Sequence, residues 1–143
     1  LLHGLMICSG NDAAVQIAIS ISGSVSNFAE LMNKKALELG LEHTHFVTPH
    51  GLDENGHYTT ALELAKMADY ALKIPKFAQV VNTKEYNVNI NGEQKRISNT
   101  NELLGYLEGV NGCKTGYTSK AGRCLVTSAN RNDFNIIINF FFI

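Results

Sequence analysis

The run NGCKTGYTSKAG, Asn111 to Gly122, sets Lys114 beside Thr115 and Gly116, with Tyr117 and Thr118 next and a strongly apolar stretch beyond. On a strand this spacing puts an ammonium, a hydroxyl and an unobstructed piece of backbone along one edge. The lysine offers a point charge to a carboxylate, and the glycine lets a substrate's own backbone come close, as in strand addition. A second polar cluster, Ser9-Gly10-Asn11, stands immediately before a helical pattern and offers a hydroxyl and an amide. Each cluster alone also fits a plainer role. Lys-Thr-Gly serves equally as a solvated turn, and Ser-Gly-Asn as an ordinary helix start.

Both clusters need elements to hold them. Asp12 to Ile21 carries Ala14, Ile17, Ala18 and Ile21 at helical spacing, with Asn11 or Asp12 available as the cap. A second helix is expected from Asn27, whose spacing to Glu30 resembles a capping box, to the terminator Gly40, with Phe28, Leu31, Met32 and Leu39 as its apolar face. Thr44 to Tyr58 holds Pro49, Gly51, Asn55 and Gly56 without sustained period and reads as a folded loop with a short extended piece at Phe46 and Val47. Thr60 and Glu63 form a capping box for a third helix that stops before Pro75. The period then becomes two. Tyr86, Val88 and Ile90 alternate up to the turn Asn91-Gly92, and Glu93 to Ile97 returns. Further strands are expected at Val110–Thr115, Arg123–Ala129 and Phe134–Ile143, the last as a core strand. Helices first and an antiparallel sheet after make an α/β chain of the α+β type, in one domain over residues 1–143.

Composition narrows the chemistry. Twelve Lys and Arg against 13 acidic residues leave no charge excess to attract nucleic acid or anionic lipid. His43, His45, His50 and His57 show no HExxH spacing, so no metal is expected, and no cofactor motif is present. Three cysteines without a CxxC pair give no disulfide framework, and Cys8 reads as a small buried hydrophobe. The opening LLHGLMICSGNDAA and the close FNIIINFFFI both read as sequence from inside a domain, so the chain is expected to be a fragment.

Ser-x-Asn before a helix, followed about a hundred residues later by Lys-Thr-Gly on a strand, matches two of the three signature elements of the penicillin-interacting serine acyltransferases. LLHGLMICSGNDAA, HTHFVTPHGLDENGHYTTALELA, TKEY and GVNGCKTGYTSKAGRCLVTSA extend this match. The chain resembles the D-alanyl-D-alanine carboxypeptidases, the low-molecular-weight penicillin-binding proteins, along nearly its whole length up to about Asn135. The resemblance implies a β-lactamase/transpeptidase-like fold and a serine-type carboxypeptidase that trims the terminal D-alanine from peptidoglycan stem peptides. It would act outside the cytoplasm, at the cell wall or the outer face of the bacterial membrane, and β-lactam antibiotics would trap it. Ser9 would then help pass a proton to the leaving group, Asn11 would bind the substrate's amide carbonyl, and Lys114 would support proton transfer. Thr115 and Thr118 would meet the terminal carboxylate, with Gly116 between them, and the Tyr117 amide would be one arm of the oxyanion hole.

Two departures accompany the resemblance. The residues three before each lysine are Leu31, Met32, Glu63, Tyr70, Lys73, Val81, Gly92, Asn111 and Tyr117, so no Ser-x-x-Lys occurs within these residues, and the family's nucleophile and principal base are not among them. NFFFI also stands where the family has valine and glycine. Two other readings follow: a class A β-lactamase-like hydrolase, which the TPHGLDENGHYTTA match disfavours, and an inactive remnant that only binds peptidoglycan. With the Ser-x-x-Lys segment missing, exposed apolar faces and self-association through Phe140 to Phe142 are expected.

Overall fold

The computed structural model describes residues 1–142, and the final residue of the expected last strand, Ile143, lies outside them. Five helices precede five strands: α1 Leu2–Cys8, α2 Asn11–Ser22, α3 Val25–Glu38, α4 Ala61–Leu72, α5 Pro75–Val81, then β1 Glu85–Ile90, β2 Glu93–Ser98, β3 Val110–Thr118, β4 Gly122–Arg131 and β5 Phe134–Phe142. The strands form an antiparallel β1-β2 hairpin and a separate antiparallel sheet of order β3-β4-β5. The hairpin closes at Asn91-Gly92, both at positive φ, as the sequence predicts.

The helices begin and end for local reasons. Thr60 caps α4 by accepting from the Glu63 amide at 3.2 Å, a bond of the kind worth about 1 kcal/mol. For α3 the cap is Ser24, whose Oγ accepts from Asn27 N at 3.1 Å, and not Asn27. Asn27 lies inside the first turn and its side chain turns back to donate to the Ser22 carbonyl. Gly10, without a side-chain cap, precedes α2, while Asp12 Oδ1 accepts from the Ala13 amide at 2.8 Å. Pro75, expected only to end α4, opens the further helix α5, where its fixed φ and missing N–H cost nothing.

The buried interior combines alanines, among them Ala14 and Ala18 of α2 and Ala36 of α3, with the larger Ile7, Leu41, Val80 and Val81. The expected apolar face of α3 is different. Phe28, Leu31, Met32 and Leu39 line an open groove of about 320 Å³ with Phe46 and Met67. The strand β5 is also not a core strand. Among the described residues it is an outer strand of its sheet, paired to β4, and leaves Phe134, Phe140 and Phe142 exposed. One layer of cover on one edge is too little to bury a strand that is apolar at consecutive positions.

The histidine-rich loop between α3 and α4 is folded around a buried carboxylate. Glu63 accepts from the His43 amide at 2.9 Å and from Thr44 Oγ1 at 2.5 Å, and Thr44 also meets Thr59 Oγ1 at 2.7 Å. His57 Nδ1 accepts from the Val47 amide at 3.0 Å, and His45 Nδ1 lies 2.6 Å from the Gly56 carbonyl. These histidines are occupied as hydrogen-bonding groups within the loop, and His45 and Tyr58 form a single β-bridge. Among the described residues no cluster of metal-ligating side chains occurs, and no helix is long and apolar enough to cross a membrane.

Candidate active site

Ser9 is the residue at which α1 turns into α2. It adopts the left-handed conformation, φ 58° and ψ 38°, and the Gly10 amide that follows bonds back to the Gly4 carbonyl at 3.0 Å. This turn projects an exposed hydroxyl from the junction of two helices and starts α2 at Asn11, also exposed. The Asn11 amide makes no hydrogen bond among the described residues. Cys8, expected to be buried, is exposed, with its thiol donating to the Gly4 carbonyl. The last turn of α1 has only Ile7 to spare for the interior, so the next position faces out.

On the other side of the site, β3 pairs with β4 from Val110 to Thr118, three residues beyond the expected end at Thr115. Among the described residues its opposite edge carries no strand partner in the sheet. The register sets Cys113 against Thr127 and Cys124 against Gly116, so the two cysteines are not cross-strand neighbours and all three thiols are free. Lys114, half-buried, donates from Nζ to Ser9 Oγ across 105 residues of sequence, and also to the Thr115 carbonyl at 2.8 Å. Burial holds the Lys114 pKa below the ordinary lysine value, partly offset by the Cys8 sulfur nearby. A lysine in this state gives up a proton more readily than one in water.

Ser9, Lys114 and Thr115 are thus brought together. Asn11 sits two residues beyond Ser9, at the first position of α2, and faces solvent. Gly116 and Tyr117 continue along β3 toward solvent, Tyr117 being 70% exposed. Thr118 turns toward the β3–β4 connection, where its hydroxyl accepts from the Ala121 amide at 3.0 Å. Asp53 Oδ2 holds the same connection by accepting from Lys120 N at 3.2 Å.

The loop after β2 supplies residues that the motifs do not reveal. Asn99 Nδ2 donates to the Thr83 carbonyl at 3.0 Å, and buried Asn101 donates to the Gly112 carbonyl at 3.1 Å. Between them Thr100 gives its amide to the Ile7 carbonyl at 3.0 Å and places Oγ1 2.6 Å from Thr115 Oγ1. The available signal was the polar string Ser98-Asn99-Thr100-Asn101 directly after a hairpin, a composition that favours side-chain bonds to backbone over regular structure.

Residues 1–141 match the family described as D-alanyl-D-alanine carboxypeptidase. The chain is 44% identical over 138 residues to the D-alanyl-D-alanine carboxypeptidase DacF of Bacillus subtilis, covering 96% of this chain and 36% of that protein. Among solved structures, the Streptomyces K15 DD-transpeptidase superposes with a TM-score of 0.92 at 34% identity, over 97% of this chain and 58% of that one. Penicillin-binding protein D2 of Listeria monocytogenes in its ampicillin-bound form gives 0.85 at 28% identity, over 97% of this chain and 57% of that one. The chain therefore spans about a third of the length of that Bacillus relative, and from its match over residues 1–141 it belongs to the D-alanyl-D-alanine carboxypeptidase family.

Proposed function

We propose that this chain forms part of the catalytic domain of a serine-type D-Ala-D-Ala carboxypeptidase, the part that binds the substrate's end and moves the proton to its leaving group. The observation that carries this reading is the contact of Lys114 Nζ with Ser9 Oγ, made on a strand edge left open beside an exposed Asn11. The substrate is a peptidoglycan stem peptide ending in D-alanine, and β-lactams react at the same place. The protein works outside the cytoplasm, at the cell wall.

The peptide lies along the free edge of β3, where Gly116 keeps the approach clear. Asn11 donates its amide to a substrate carbonyl, and Lys114 with the Thr115 and Thr118 hydroxyls meets the terminal carboxylate. When the scissile bond breaks, Ser9 Oγ–H gives its proton to the amine nitrogen of the departing D-alanine, and Lys114 Nζ–H replaces it on Ser9. The lysine's lowered pKa suits this transfer. The Tyr117 amide lies at the level of the oxyanion. The attacking hydroxyl belongs to a Ser-x-x-Lys that these 143 residues do not contain.

Fluorescent penicillin followed by denaturing electrophoresis tests the assignment. The full-length gene product is expected to take the label and the 143-residue chain, which contains no Ser-x-x-Lys, is expected not to. A labelled band from the short chain would show that the nucleophile lies within it. The exposed β5 strand is the surface for self-association, and a monomer at high concentration by light scattering would count against that.

A further inference from the structure

Thr100 lies in no motif, yet it touches both halves of the site. Its amide holds the last turn of α1 through the Ile7 carbonyl, two residues before Ser9, and its hydroxyl holds Thr115, one residue after Lys114. The flanking Asn99 and Asn101 fix the backbone on either side, through the Thr83 and Gly112 carbonyls. The Thr100 hydroxyl is therefore presented to Thr115 from a tethered position while itself exposed.

Either hydroxyl in this pair could donate, and the two choices have opposite consequences. If Thr115 donates to Thr100, the Thr115 proton is spent inside the protein and its oxygen turns a lone pair toward any incoming carboxylate, which repels it. If Thr100 donates, the Thr115 oxygen is satisfied and its own proton points outward. Lys114, bonded to the Thr115 carbonyl, places positive charge on that side, so an anion arriving there selects the second arrangement.

We propose that Thr100 is a positioning residue for the substrate's carboxylate: it donates to Thr115 Oγ1 and so presents the Thr115 proton to the anionic end of the peptide. The inference rests on the proposed function. A donor chain of this kind strengthens its terminal bond, and the strengthening applies to bound substrate and transition state alike. Its removal therefore raises KM and leaves kcat in place.

The test uses the full-length gene product and D-alanine release from a peptide ending in D-Ala-D-Ala. Thr100→Val keeps the β-branched shape and the backbone bond to Ile7 but has no hydroxyl. It is expected to raise KM by about five- to tenfold with kcat within about twofold, and Thr100→Ser restores KM. The double variant of Thr100→Val with Thr115→Val is no worse than Thr115→Val alone, because the first acts only through the second. A Thr100→Val protein with wild-type KM overturns the inference, as does a loss in kcat alone, a failure of Thr100→Ser to restore, or full additivity in the double variant. Wild-type protein that neither takes up fluorescent penicillin nor releases D-alanine overturns the proposed function, and this inference falls with it.

Discussion

The strand β3 has two ends built to different purposes, and a glycine marks each. At the inner end Gly112 is buried, and a Cβ there would lie 2.9 Å from Val81 Cγ2 and 3.3 Å from Ser128 Oγ. Its carbonyl accepts from both Asn101 Nδ2 and Thr127 Oγ1, and Cys113 beside it is 3% exposed. At the outer end Gly116 is exposed, and a Cβ would meet only Cys124 Cβ at 3.7 Å, an ordinary contact. The inner glycine is demanded by the chain's own packing and the outer one is not. Under the proposed function, the room left at Gly116 on this strand edge is what lets an extended peptide approach.

The largest effect that sharpens this contrast is at Lys114. In the full-length gene product Lys114→Ala is expected to slow acylation by penicillin about 10²–10⁴-fold with the thermal midpoint nearly unchanged, as labelling kinetics and calorimetry would show. Collapse of the fold would place Lys114 with the packed end of the strand instead. Next come the glycines as a pair. Gly112→Ala must displace Val81 and costs about 1–3 kcal/mol in urea unfolding. Gly116→Ala changes stability by no more than about 0.5 kcal/mol yet slows acylation by roughly a hundredfold. Equal effects on stability would erase the distinction.

Much of this scaffold is legible in the residues. Thr60 starts α4 where the structure has it, although only half of the expected capping box forms, the Glu63 carboxylate turning to His43 and Thr44 instead, and Asn91-Gly92 closes the hairpin; the Thr60 cap and the turn are each completed within four residues. The helix α1 is hidden because its seven residues have no capping side chain and are too few to show a period. Pro75 can end one helix or open another, and only the packing of Val80 and Val81 decides that it opens α5. The apolar run of β5 gives its strand but not its exposure, since burial depends on what lies over it. The contact of Ser9 with Lys114 is beyond spacing altogether. Its partners are 105 residues apart, and only the likeness to a family joined them, while Thr100, outside that family's motifs, stayed unseen.

Acidity separates the two kinds of polar group more gently. Burial works against the Glu63 carboxylate, but hydrogen bonds from Thr44 and the His43 amide outweigh it and hold its pKa below the ordinary value of 4.5. Burial, with His45 and His50 near, holds the His57 pKa below 6.5. Both groups bind protons more readily in the unfolded chain. Stability is therefore expected to fall as pH drops below 6.5 through the His57 pKa, and again below 4.5 through that of Glu63, in urea midpoints taken across pH. His57→Gln removes the first step. Acylation should answer to a different group, its alkaline limb lying below the ordinary lysine value of 10.5 and vanishing in Lys114→Ala. The smallest effect is at the exposed pair of Lys73 with Asp69, where Lys73→Ala costs at most about 0.5 kcal/mol and leaves acylation untouched.

The left-handed turn at Ser9 limits what a mutating gene can try there. Of the two amino acids with an aliphatic hydroxyl, threonine is β-branched and poorly suited to a φ of 58°, so the change that looks most conservative would pull the junction of α1 and α2 out of shape. Glycine and asparagine accept that backbone readily, but neither brings a hydroxyl. Variation at position 9 therefore runs into a choice between keeping the turn and keeping the hydroxyl that meets Lys114, and serine alone satisfies both.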